Sequence, residues 1–118
     1  MGNPVMWFEV AGKDQQGLKD FYSRLFEWQL NDMEAMPYTG IETGDQGIPG
    51  GIGQAPEGND GHVTFYVEVD DVAASLGQAN SLGGSTVMEP TSIPSGEIAL
   101  FADPEGHVVG LMNMNGAG

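Results

Sequence analysis

The chain has 118 residues, with seventeen acidic side chains against three basic ones, a formal net charge of −14 and no cysteine. That length predicts one domain with a real core, and the missing cysteine excludes disulfides, thiolate catalysis and cysteine-bound zinc. Three cations neutralise too few phosphates for nucleic-acid binding, and no apolar run approaches the roughly 20 residues of a membrane span.

In chain order, Val5 to Ala11 (VMWFEVA) is β-branched and aromatic and predicts a strand. Gly12 turns the chain and Asp14 is a natural helix cap. Leu18, Phe21, Tyr22, Leu25 and Phe26 then recur at helical spacing, which predicts an amphipathic helix with Tyr22 and Phe26 in the core. Three short strands are expected at about Trp28–Met33, Tyr38–Thr43 and Ile48–Gly53, punctuated by Pro37 and the Gly-Asp-Gln-Gly of 44–47.

Residues 54–61 (QAPEGNDG) have the composition of a linker. Beyond them the pattern begins again. His62 to Val69 alternates as a strand, and Asp70 or Asp71 caps a weaker helix through Val72, Leu76, Ala79 and Leu82, ended by Gly83-Gly84. Strands follow near Ser85–Met88, Glu97–Phe101 and Val108–Met112, the last two joined by the tight Asp-Pro-Glu-Gly turn at 103–106. The halves superpose at an offset of 57, with Val10 on Val67, Asp14 on Asp71 and Leu25 on Leu82. The order of elements is βαβββ twice. One such unit leaves a sheet face bare, and curling two units together covers it. The expected fold is therefore α+β: two βαβββ modules forming an eight-stranded half-open barrel with a central cleft and the helices outside. The modules are 1–53 and 62–118 of a single domain, joined by the linker.

With FEVAGKDQQGLKDFYSRLFEW (8–28), HVTFYVEVDDVAASL (62–76) and FADPEGHVVGLM (101–112) in this order, the chain resembles the vicinal oxygen chelate superfamily. That superfamily includes glyoxalase, bleomycin-resistance proteins and extradiol dioxygenases. The resemblance implies a homodimer. It also implies that metal-dependent members hold a divalent ion with side chains from the first and last strands of each module. The matching positions here are Val5, His62, Gly51 and Gly110, and only His62 is a donor, so no metal site and no cofactor are expected. A register slip would bring in Glu9, Gln54 or His107, but it would also turn every side chain of the strand over.

Strand alternation places Val5, Trp7 and Glu9 on the cleft face of the first strand, and His62, Thr64, Tyr66 and Glu68 on that of the fifth. Val108 and Met112 join from the last strand, and Gly51 with Gly110 is expected to leave space at the floor. Met6, Phe8, Val10, Val63, Phe65, Val67 and Val69 are expected to face the helices. The candidate ligand-binding residues are thus Trp7, Glu9, His62, Thr64, Tyr66, Glu68 and Met112, a mixture of aromatic and hydrogen-bonding groups suited to a small-molecule cavity. Each has a plainer reading: Trp7 as a core plug, His62 as a cross-sheet hydrogen-bonding residue, the glutamates as solvated strand ends. Tyr38 either lines the cleft mouth or closes a turn.

No nucleophile with an oriented base is recognisable, and GIPGGIGQ lacks the Lys-Ser/Thr ending of a phosphate loop. The expected function is metal-free binding of a flat or cationic small molecule, as in bleomycin-resistance proteins. The alternative is a glyoxalase-like lyase or isomerase, metal-dependent or using His62 as a base. The acidic surface either attracts a cationic ligand or maintains solubility. With no basic-then-apolar leader at the N-terminus, a cytoplasmic location is expected.

Overall fold

The computed structural model describes residues 2–114. The elements are β1 (Val5–Gly12), α1 (Gln15–Phe26), β2 (Gln29–Asp32), β3 (Tyr38–Glu42), β4 (Gly50–Gln54), β5 (His62–Glu68), α2 (Val72–Ser81), β6 (Ser85–Ile93), β7 (Gly96–Ala102) and β8 (Val108–Asn113). This is βαβββ twice, the α+β fold class expected. None of the helices is long and apolar enough to cross a membrane among the described residues.

The repeat is visible in the capping chemistry. Asp14 accepts from the Gly17 amide at 3.0 Å, and Asp71, 57 residues on, accepts from the Ala74 amide at 3.0 Å. Each carboxylate satisfies a donor that the first helical turn leaves orphaned, and losing such a cap costs about 1 kcal/mol. Beyond each helix the chain turns through a left-handed residue, Glu27 (φ 56°) or Gly83 (φ 105°).

Two expected boundaries move. Gln54 is the last residue of β4 rather than the first of a linker, and the Ala55 amide donates to the Gly12 carbonyl at 2.8 Å. β6 runs on to Ile93 instead of stopping near Met88. Register shifts on either side of Met88 interrupt its pairing with β7, and β6 is the outermost strand of its group. An edge strand with irregular pairing tolerates Pro90, which has no amide to donate.

The described chain divides into two compact units, one of residues 7–64 and one of the remainder. In the 7–64 unit the strands run in the order β2-β3-β4-β1, with β4 parallel to β1 and antiparallel to β3. Its buried side chains include Val10, Thr39, Ile41 and Ile52. The apolar stripe of α1 does not sink into this core: no residue of α1 is buried, Phe21, Leu25 and Phe26 are each more than half exposed, and Tyr22 is half-buried. The strand β4 offers glycine at three of its five positions, so the rings pack on one another instead. Tyr22 stacks on Trp28 at 5.7 Å, Phe26 lies 5.0 Å from Trp28, and Phe8 lies 5.6 Å from it.

The other unit carries the order β5-β8-β7-β6 and a core of Val69, Val72, Leu76, Ala99 and Leu111, flanked by Val67 and Phe101. Of the side chains expected to face helices, Val10 and Val69 are buried and Phe8 and Val67 half-buried, but Met6, Val63 and Phe65 are exposed, Val63 to 75%. Alternation assigns a face, not its cover. A ten-residue helix is about 15 Å long, whereas a seven-residue strand spans roughly 23 Å.

Candidate functional site

The glycines of β4 determine what surrounds them. Alternation turns Gly51 and Gly53 to one face and Gly50 and Ile52 to the other. On the second face Phe8 lies over Gly50, where a methyl group would overlap its ring, and Ile52 is fully buried. On the first face the ring of Tyr38 lies over Gly51, and a methyl group there would overlap it. A side chain at 51 would block this path. Without one, Tyr38 on β3 crosses β4 and reaches β1, two strands away.

What it reaches is a hydrogen-bonded chain. The Trp7 indole N–H donates to the Tyr38 hydroxyl at 3.0 Å, and that hydroxyl donates to Glu9 Oε1 at 3.0 Å. Trp7 and Tyr38 also stack, with centroids 6.4 Å apart. The second carboxylate oxygen, Glu9 Oε2, receives His62 Nε2 at 2.5 Å. The Glu9 and His62 side chains are 13% and 21% exposed. A carboxylate is acceptor-only, so Nε2 carries the proton, and in the neutral ring the lone pair stands on Nδ1. Glu9 thereby holds His62 in one tautomer and one orientation, the arrangement that makes an imidazole a directed acceptor or base.

Tyr38 also lines a cavity of about 400 Å³ with Lys19, Asp32, Met33, Met36 and Gln54. Lys19 donates to Asp32 Oδ1 at 2.8 Å, and the Thr39 hydroxyl donates to the same atom at 2.6 Å. The Lys19 hydrogen bond and then that of Thr39 hold the Asp32 carboxyl below the ordinary carboxylate range.

Of the seven sequence-derived candidates, the 7–64 unit brings Trp7, Glu9 and His62 together around Tyr38, and Thr64 is buried on the same strand as His62. In the other unit Tyr66 and Met112 are buried, and Glu68, half-buried, pairs in register with Met112. The expected space at Gly51 and Gly110 is filled. Tyr38 covers the first, and Tyr66 covers the second so closely that a methyl group there would overlap its ring. The sequence admits either a cleft or a turn role for Tyr38, and the hydrogen bonds make it the hub of this cluster. The signal that identifies it is the glycine-rich GGIG strand, which leaves a groove sized for a ring.

The metal that the superfamily implies fits poorly. Two of the four family positions are glycines beneath tyrosine rings, and no side chain fits at either without moving one. No group of three or more His, Asp or Glu residues gathers among the described residues. Glu9 and His62 are the donors present, and they bind each other.

Two βαβββ modules in this order form the fold that the resemblance implies. Residues 7–112 match the family described as glyoxalase-like domain, and the chain belongs to that family, within the vicinal oxygen chelate superfamily. It is 30% identical over 120 residues to the putative glyoxylase CFP32 of Mycobacterium tuberculosis, covering 92% of this chain and 45% of that protein. It is 28% identical over 118 residues to the anthracycline biosynthesis protein DnrV of Streptomyces peucetius, covering 85% and 43%. The chain thus spans a little under half the length of these relatives. Among solved structures, a glyoxalase/bleomycin resistance protein/dioxygenase superfamily member from Vibrio splendidus superposes with a TM-score of 0.60 at 14% identity, covering 95% of this chain and 99% of the other.

Proposed function

We propose that this chain is a single glyoxalase/bleomycin-resistance-like domain that binds a flat small molecule without a metal, and that Trp7 and His62 are its principal contacts. The observation that supports this reading is the polarised chain from Trp7 through Tyr38 and Glu9 to His62. It prepays the ordering of an aromatic surface and a directed imidazole, and preorganisation of that kind lowers the cost of binding. The occurrence of relatives named for anthracycline biosynthesis is consistent with a flat polycyclic ligand class. A thermal-shift screen of flat aromatic compounds tests it: a ligand should raise the melting temperature, and the Trp7→Ala variant should lose that rise. Failure of every such compound to stabilise the folded protein would reject the proposal.

A second reading rests on the Glu9–His62 contact itself. His62 Nδ1 would accept a proton from a carbon acid next to a carbonyl, as in a lyase or isomerase, with Glu9 stabilising the imidazolium. Deuterium incorporation from heavy water into such a substrate, lost in His62→Gln, distinguishes this reading from binding alone.

The homodimer implied by the resemblance is part of the same proposal. Phe21, Leu25 and Phe26 on α1 supply exposed apolar surface for a second copy.

A further inference from the structure

The two modules differ where each helix ends. After the left-handed residue Glu27 comes Trp28, whose indole stacks on Tyr22 at 5.7 Å with an interplanar angle of 15°. After the left-handed residue Gly83 comes Gly84, and the counterpart of Tyr22, 57 residues on, is Ala79. Where the first module stacks a phenol on an indole, the second has only the Ala79 methyl group in the place of the phenol. Ala79 lines a cavity of about 350 Å³ at the margin of the Val69–Leu111 core. Its apolar walls include Val67, Leu82, Phe101 and Leu111.

Asp103 is the charged side chain among the described residues that line the cavity. Its carboxylate is pinned by the Glu105 and His107 amides, which donate to Oδ1 at 2.9 Å each, and by the His107 ring at 3.0 Å from Oδ2. These bonds, that of the His107 amide first, hold the carboxyl below its ordinary range, so it is ionised at neutral pH.

We propose that this cavity between α2 and its sheet is a binding site for a flat aromatic amine, with the ring against Ala79, where the first module carries the ring of Tyr22, and the ammonium on Asp103. The site is separate from the Trp7–His62 cluster and does not depend on the reading given for it.

The probe is tryptamine, titrated into the full chain and followed by amide and methyl NMR, with indole-3-propionate as the oppositely charged control. Tryptamine should bind with contacts from its ring to the Ala79 and Leu111 methyl groups, and at least tenfold more tightly than the propionate. Ala79→Tyr, which restores the residue of the first module, should fill the cavity and weaken tryptamine binding at least tenfold. Asp103→Asn should erase the preference for the amine over the propionate. Absence of saturable binding at millimolar tryptamine would overturn the proposal, as would equal affinity for the two probes or ring contacts to Trp7 instead of Ala79. The NMR contacts in the unmodified chain decide the matter even if Ala79→Tyr does not fold.

Discussion

Tyr38 lies over Gly51 so closely that a single methyl group at 51 would overlap its ring, and this contact lets the Tyr38 hydroxyl reach Glu9 at 3.0 Å. The pairing is a matter of steric exclusion. Gly51 pairs with Glu9 on one side and Gly40 on the other, so the ring crosses the ladder above a strand that offers it only backbone. Gly51→Ala is expected to destabilise the fold by about 1–3 kcal/mol through overpacking. Much of that loss should disappear in the Gly51→Ala, Tyr38→Leu double variant. Chemical denaturation of the four proteins in this cycle checks it, and simple additivity would show that the ring is free to move aside.

Glu9 accepts from the partly buried Tyr38 and His62 side chains, and removing an acceptor from such donors costs more than the net worth of the bonds. Glu9→Ala should lower stability by about 1–3 kcal/mol. Glu9→Gln, which keeps an acceptor for one donor, should lose less. Denaturant melts rank the two variants, and the reverse order would contradict the hydrogen-bonded chain.

The sign of the salt response follows from the charge. Each of the three basic side chains already sits beside an acid, Lys13 with Asp60 at 2.7 Å, Lys19 with Asp32 at 2.8 Å and Arg24 with Asp20 at 3.4 Å, while the formal net charge remains −14. Exposed pairs contribute little, whereas repulsion among the remaining acids acts over the Debye length, about 8 Å at physiological ionic strength. Moderate sodium chloride should therefore raise the melting temperature. A fall would mean that the ion pairs outweigh the repulsion.

Acid should weaken the fold through Asp32 and Asp103. Both carboxyls are held below their ordinary values, the first mainly by its Lys19 hydrogen bond and the second mainly by the His107 amide. The unfolded chain then binds protons that the folded chain does not, so stability rises with pH in that range. Their contribution is fully present above about pH 4, the ordinary aspartate value, and is lost as pH falls through the lowered folded values. Melting curves from pH 5 down to pH 2 should show the loss, with a shallower slope in Asp103→Asn.

Association should be disrupted on α1 if the homodimer forms there. Phe21→Ser with Leu25→Ser should shift sedimentation toward a monomer while leaving the circular dichroism of the folded chain intact. A clean monomer of the unmodified protein at micromolar concentration would defeat the dimer itself.

Local signals made the fold class readable in advance. Asp14 and Asp71 announce two helices by the same capping chemistry, alternation marks β1 and β5, and the Asp-Pro-Glu-Gly turn marks the β7–β8 hairpin. These features act within a few residues of themselves, so a linear reading recovers them. The same alternation put Trp7, Glu9 and His62 on one face, and Glu9 with His62 are 53 residues apart in the chain but in contact. For Tyr38 a linear reading leaves the cleft mouth and a turn both open, because its role depends on the side chain that Gly51 lacks on a neighbouring strand. The exposure of Phe21, Leu25 and Val63 is equally out of reach, since periodicity reports which side of an element is apolar but not how far another element extends across it. What packs against what is a long-range steric question, and only the tertiary structure answers it.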